Sequence, residues 1–181
     1  MTDPKRRLVE RIADEGYLSG LGEKALEDLR AMRDECKEAE TELSFERRLA
    51  QARIDILSAE LDRRSGGGSS EDLMSRLPQI LAAEERRPGE QPLPSRAPDF
   101  SVPRNADIPR RRIEEIVGEQ TLSRLPTLPD EEVKKILASL AEHEKSLSVR
   151  RRKVQEIMDT VQAEIVRRYV SGEADPTAAL G

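Results

Sequence analysis

The chain has 181 residues, of which 37% are charged, 36% apolar and only 2% aromatic. So small an apolar fraction excludes a globule with a thick core and favours elongated helices that bury one narrow seam. Acidic and basic residues are mixed at a formal net charge of -5, so no extended basic tail for nucleic acid is expected, and the lone Cys36 excludes an internal disulfide.

The first 18 residues are predicted to form a short N-terminal helix. It begins at the Asp3-Pro4 pair, where proline suits the first helical position, and runs to about Asp14 before Gly16 stops it. These residues contain no apolar run typical of a signal peptide, and no segment of the chain reaches 18 apolar residues. We therefore expect a cytoplasmic protein that contacts no membrane.

Residues 19–64 are predicted to form the first long helix, because no proline or glycine follows Gly22 in this range. Its apolar residues recur at spacings of three and four, which is typical of a coiled-coil seam. The predicted seam consists of Leu29, Met32, Cys36, Ala39, Leu43, Ala50, Ile54, Leu57 and Leu61. The run Ser65 to Ser70, which contains three glycines, is expected to end this helix.

Residues 65–128 are interpreted as a long flexible linker rich in proline, glycine and serine. Two short helical fragments are expected within it. The first is amphipathic, spans Glu71 to Arg87 and is limited by Pro78, and the second runs from Arg111 to about Leu122.

Residues 129–170 are predicted to form the second long helix, and residues 171–181 a disordered tail. Acidic residues follow Pro129 and suit the positive end of the helix dipole. The predicted seam of this helix is Val133, Ile136 or Leu137, Leu140, Leu147, Val154, Met158, Val161 and Ile165. The sequence therefore predicts an all-α protein in which the two seams face each other. The linker is long enough to connect parallel or antiparallel helices. We expect an antiparallel coiled coil because two helices of one chain more commonly form a hairpin.

A repeat relates the two long helices. When the chain is compared with itself at a shift of 104 residues, 11 of the 25 positions from 40 to 64 are identical. Five of these identities form the pattern Glu-x3-Ser-x2-Arg-x3-Gln-x3-Asp, in a first motif over 40–55 and a second over 144–159. The ten residues are Glu40, Ser44, Arg47, Gln51, Asp55, Glu144, Ser148, Arg151, Gln155 and Asp159.

Helical geometry places the five residues of each motif on one face. At about 100° per residue they fall within an arc of roughly 80°, beside the apolar seam. A duplicated array that contains serine and glutamine, which are not the best choices for helix propensity or ion pairing, suggests selection for a ligand.

Guanine is the ligand group that best suits these side chains. An arginine fork matches the guanine O6 and N7 acceptors, and a carboxylate accepts from the N1 and N2 donors. Serine and glutamine can bridge to phosphate or ribose. Because the array occurs twice, a two-fold symmetric ligand such as a cyclic dinucleotide of two guanosines meets the requirement.

The duplicated motif resembles the signature of the RsiG family of anti-sigma factors, which bind cyclic di-GMP and sequester the sporulation sigma factor WhiG. The resemblance implies an antiparallel coiled coil that holds paired cyclic di-GMP against the sigma factor, which is released when the second messenger falls. It further implies that Arg47, Arg151, Asp55 and Asp159 contact guanines. Glu40, Ser44, Gln51, Glu144, Ser148 and Gln155 would complete the sites or order the arginines.

Two other interpretations stay open at this point. In a scaffolding coiled coil, the arrays would set helix register through cross-helix ion pairs and bind no small molecule. In a nucleic-acid-binding helix pair, the basic clusters Arg110 to Arg112 and Arg150 to Lys153 would contact DNA, although the balanced charge does not favour it. We do not expect an enzyme or a metal site, because the single His143 offers neither a triad nor a metal cluster.

Overall fold

The computed structural model describes residues 4–66, 102–103 and 111–173, and within these ranges it contains helices and turns but no strand. The α-helices are α1 (Pro4–Ile12), α2 (Leu26–Gly66), α3 (Arg111–Ile116), α4 (Glu119–Ser123) and α5 (Asp130–Val170). Two short 3₁₀ turns, Leu21–Glu23 and Leu125–Thr127, precede α2 and α5. The prediction of an all-α fold is confirmed.

One predicted helix is divided in the structure. The segment expected to run from Arg111 to Leu122 breaks at Gly118, whose extended backbone precedes α4 (φ -82°, ψ 174°). Glycine disfavours the helix interior because its backbone loses the most freedom there. The predicted fragment Glu71 to Arg87 and residues 174–181 of the tail lie outside the described residues.

The chain divides into two compact units, and each contains a part of both long helices. The first unit comprises Met1–Ser44 and Ser148–Gly181, and the second comprises Phe45–Leu147. In the first, Leu29 near the start of α2 packs with Val161 and Ile165 near the end of α5. The two helix segments in this unit are therefore antiparallel, as predicted.

The second unit shows the same antiparallel arrangement. Here Ala50 and Leu57 in the later part of α2 pack with Val133 and Leu140 in the early part of α5. The structure also describes residues 111–128 of the predicted linker. Four of these residues belong to this core. They are Ile113, Val117, Leu125 and Leu128. The segment just before α5 thus contributes apolar surface to the unit.

The predicted seams account for most of the buried apolar residues of the two long helices. On α2 the buried seam residues are Leu29, Cys36, Ala39, Leu43, Ala50 and Leu57. On α5 they are Val133, Leu140, Leu147, Val154, Met158, Val161 and Ile165. Spacings of three and four therefore identified the core-facing side of both helices.

The repeat extends beyond the region identified from sequence identity. Helices α2 and α5 each have 41 residues, and both ends of α5 lie 104 positions after the ends of α2. The 3₁₀ turn at Leu125 also begins 104 positions after the turn at Leu21, and α3 ends at Ile116, 104 positions after Ile12 ends α1. The chain therefore contains two copies of a module in which a short helix and a 3₁₀ turn precede a long helix.

An arginine near the end of each long helix donates hydrogen bonds to the turn that precedes the other long helix. Arg64 donates from Nη1 to the Leu128 carbonyl at 2.7 Å and from Nη2 to the Leu125 carbonyl at 2.6 Å. Its copy Arg168 donates to the carbonyls of Lys24 and Leu21. Each pair of contacts lies within one unit and fixes the antiparallel register there.

A carboxylate four residues earlier on the same helix orients each of these arginines. Glu60, which is 1% exposed, accepts from Arg64 Nε at 2.8 Å and from Arg63. Glu164 accepts from Arg168 Nε at 2.9 Å and from Arg167. Hydrogen bonds from Arg63 and Arg64 lower the pKa of Glu60 from 4.5 to about 2, which keeps the carboxylate ionised.

Among the described helices, none combines the length and the apolar composition that crossing a membrane requires.

Candidate functional site

In the first unit, four motif residues are joined around the carboxylate of Glu40. Its Oε1 accepts from Ser44 Oγ at 2.8 Å, from Gln155 Nε2 at 3.1 Å and from Arg151 Nη1 at 3.3 Å. Glu40 and Ser44 lie on α2, whereas Arg151 and Gln155 lie on α5. The cluster therefore combines the first two residues of one motif with later residues of the other.

The second unit contains the same type of cross-helix pair, but here the arginine lies on α2 and the glutamate on α5. Arg47 Nη1 of α2 lies 3.3 Å from Glu144 Oε1 of α5. Farther along α2, Gln51 Nε2 donates to Asp55 Oδ1 at 3.0 Å. The arginine of one motif thus meets the glutamate of the other in both units, because the helix segments are antiparallel.

The remaining two predicted site residues, Ser148 and Asp159, lie on α5 in the first unit. Ser148 is half-buried and Asp159 is exposed. The motif on α2 is the more buried of the two, since Glu40, Ser44 and Gln51 are buried. On α5 the matching glutamate, serine and glutamine are only half-buried.

The two motif arginines share one unusual feature. Arg47 Nε and Arg151 Nε are both buried and have no hydrogen-bond partner. A buried donor without an acceptor typically costs about 1 to 3 kcal/mol. These two donors lie at equivalent positions of the repeat, whereas the third such donor among the described residues, Arg53 Nη1, has Ile157 at the equivalent position.

Both guanidinium groups are nevertheless partly accessible. The Arg47 side chain is 31% exposed and the Arg151 side chain 34% exposed. Their cross-helix ion pairs are long, at 3.3 Å, and each uses a single nitrogen. Such a loosely held arginine can exchange its carboxylate partner for a ligand acceptor at a low cost, because partly exposed ion pairs contribute little to stability.

Sequence reasoning missed one contact beside the second-unit pair. The side chain of His143, the single histidine, is 14% exposed. Its Nε2 lies 3.1 Å from Glu46 Oε1. His143 and Glu46 immediately precede Glu144 and Arg47 in the sequence, so adjacency to the motif was the available signal.

Comparison with known proteins gives one family. A family model described as RsiG-like matches residues 15–81 and 119–180, which together exceed half of the chain. Each matched segment includes one long helix and one motif copy. No curated protein matches the chain.

Proposed function

Because the chain belongs to the RsiG-like family of regulatory anti-sigma factors, we propose that it binds cyclic di-GMP through the duplicated array and thereby sequesters a WhiG-type sigma factor. A sigma-factor partner follows from the family itself. The family does not establish the nucleotide or the type of sigma factor, and both are part of what we propose.

The observation that carries the nucleotide proposal is the pair of unpartnered donors on Arg47 and Arg151. A guanidinium with an unused Nε-H can form a two-pronged hydrogen bond, and the guanine O6 and N7 atoms are acceptors at matching spacing. Binding a guanine would supply the acceptor that each arginine lacks. The cost of the orphan donor in the free protein would then favour the bound state.

Carboxylates of the array can complete guanine recognition. Asp55 is half-buried and Asp159 exposed, and each follows its arginine by eight residues on the same helix. A carboxylate there can accept from guanine N1 and N2, which adenine does not offer as donors in the same positions. Arginine with aspartate thus selects guanine, and two copies suit a ligand with two equivalent guanosines.

In this proposal the nucleotide forms part of the surface that the sigma factor contacts. Cyclic di-GMP at high concentration keeps the sigma factor bound, and a fall in the second messenger releases it for transcription. The coupling is reciprocal, so the sigma factor must raise the affinity for the nucleotide by the same factor.

The test is calorimetric titration of cyclic di-GMP into the wild type and into an Arg47→Ala/Arg151→Ala double variant. We expect saturable binding by the wild type and none by this variant, because its guanine-reading donors are removed. An Arg63→Ala/Arg167→Ala double variant is the matched control, since it removes two arginines at equivalent repeat positions outside the array. Circular dichroism of each variant checks that the helices remain.

A scaffolding role is the second candidate, and the cross-helix pairs Arg47 with Glu144 and Arg151 with Glu40 favour it. Such pairs could set helix register without any ligand. No nucleotide binding by the wild type, even with the sigma factor present, would rule out the nucleotide proposal and leave the scaffold as the better explanation.

A further inference from the structure

The described parts of the long helices carry three large apolar side chains that are exposed to solvent. Val149, Val166 and Val170 are 64%, 48% and 83% exposed, and all three lie on α5 in the first unit. Single exposed apolar side chains are ordinary on protein surfaces. Val166 and Val170 differ from this, because the exposed Ala163 joins them at the helical spacings of three and four residues. Ala163, Val166 and Val170 together form the exposed stripe.

The exposed stripe continues the array along the same face of α5. At about 100° per residue, Val166 and Val170 each point about 20° away from Asp159. Ala163 points about 40° away from Asp159, and Val166 has the same direction as Ser148, about five turns earlier. At about 1.5 Å per residue, the stripe ends roughly 17 Å beyond Asp159. A partner that contacts the array on this helix therefore meets the stripe as the next surface along it.

The fold itself does not require the exposed stripe. The copies of its three residues on α2 are Ala59, Asp62 and Gly66. Val166 and its copy Asp62 are both exposed, so the repeated module folds with a charged side chain at this position. A valine where the other copy has an exposed aspartate is therefore better explained by a contact with a partner than by packing within the chain.

The size of the exposed stripe indicates which partner contacts it. A specific protein interface covers about 800 Å² on each partner, which three small side chains cannot supply. The stripe must therefore be the margin of a larger interface, and the surface next to it on this face of α5 is the array. The RsiG-like family has a sigma factor as its partner, and under the proposed function that partner contacts the array.

We propose that the sigma factor docks along α5 from the array to Val170, with an apolar patch of its surface on the exposed stripe. This inference rests on the proposed function for the position of the sigma factor at the array, but it does not depend on the identity of the nucleotide. Burial of apolar area is the dominant favourable term in most protein association, and the polar array offers little of it. Because α2 has no equivalent stripe, the apolar contact also fixes the orientation of the sigma factor on a nearly repeated surface.

Val149 provides a matched control. It is an exposed valine on the same helix, but it points about 100° away from Val166 and lies roughly 25 Å from it along the helix axis. Val149→Ser and Val166→Ser remove the same groups and differ only in the face that they alter. Serine and valine have similar helix propensities and both positions are exposed, so neither substitution should shift the midpoint of urea denaturation appreciably.

The experiment titrates a WhiG-type sigma factor, with excess cyclic di-GMP, into the wild type, Val149→Ser, Val166→Ser and the Val166→Ser/Val170→Ser double variant. We expect the double variant to raise the Kd for the sigma factor about tenfold and Val166→Ser about threefold, because buried apolar area is lost from the complex. Val149→Ser should change this Kd by less than about twofold. Cyclic di-GMP titrated without the sigma factor should bind all four proteins with Kd values within about twofold of one another, because the stripe lies outside the array.

Three outcomes would overturn the inference. The first is an equal Kd for the sigma factor in Val149→Ser and in the double variant. The second is self-association of the wild type that the double variant loses while its Kd for the sigma factor stays unchanged, which would assign the stripe to a second copy of the chain. The third is that the wild type binds no sigma factor.

A different outcome separates this inference from the proposed function. If the wild type binds no cyclic di-GMP but the double variant still binds the sigma factor more weakly than the wild type and Val149→Ser do, the nucleotide proposal fails and the docking surface is supported.

Discussion

Arginines at equivalent positions of the repeat fall into two kinds. Arg47 and Arg151 each keep a buried Nε without a partner and form only a long ion pair. In contrast, Arg64 and Arg168 are bonded to a carboxylate and to turn carbonyls. Arg47 and Arg151 therefore contribute little to the stability of the fold, as we expect of side chains that bind a ligand.

Replacement of Arg151 or of Arg168 on α5 should show which of these arginines stabilises the fold. We expect Arg151→Met to change the free energy of unfolding by less than about 1 kcal/mol, because it removes both a weak pair and an orphan donor. Arg168→Met should destabilise the protein by about 3 kcal/mol, because it leaves a carboxylate and carbonyls without their donor. Urea denaturation followed by circular dichroism measures both changes. Equal losses would contradict a ligand role for Arg151.

At the scale of the helices, the ends of α2 and α5 carry the contacts that fix register. Each long helix ends in a pair of arginines, and a glutamate one turn earlier holds them. These residues are identical in the two copies of the repeat, but the identities alone do not indicate a role. The carbonyls that Arg64 and Arg168 bind belong to the turns before the long helices, and no side-chain pattern in the sequence reveals such backbone partners.

Glu60 should make the stability of the fold depend on pH. Its pKa is lowered from 4.5 to about 2 in the folded protein, so the ionised carboxylate stabilises the native state above about pH 4.5. This contribution is lost as the pH falls from about 4.5 towards 2. Glu60→Gln should therefore cost about 2 kcal/mol at pH 7, with a smaller difference at pH 3. A difference that stays constant between these pH values, measured by urea denaturation, would contradict the assignment.

Much of the helical architecture could be predicted, because spacings of three and four and the distribution of proline and glycine are local signals. The sequence did not predict the break at Gly118, nor did it predict that Ile113 and Val117 pack into the core of the second unit. Helices as short as α3 and α4 depend on tertiary contacts more than on propensity. For the candidate site, the motif indicated the residues and the antiparallel direction was expected, but the pairing of Glu40 with Arg151 depends on which residues of the two helices lie opposite each other, and the sequence did not predict that.

For the molecule as a whole, duplication explains why the same pair of side chains occurs twice. Each unit joins part of the first module to part of the second, and each contains one arginine and glutamate pair drawn from different copies. Membership of the RsiG-like family makes a sigma factor the partner. We propose that the nucleotide controls this partnership through the duplicated array.

The most direct measurement is the affinity of the protein for a WhiG-type sigma factor, by calorimetry, with and without saturating cyclic di-GMP. We expect the nucleotide to tighten binding of the wild type by at least about tenfold, within the usual range of coupling between two sites. The Arg47→Ala/Arg151→Ala variant should lose this gain and the Arg63→Ala/Arg167→Ala variant should keep it. A wild-type affinity that is the same with and without the nucleotide would contradict the claim.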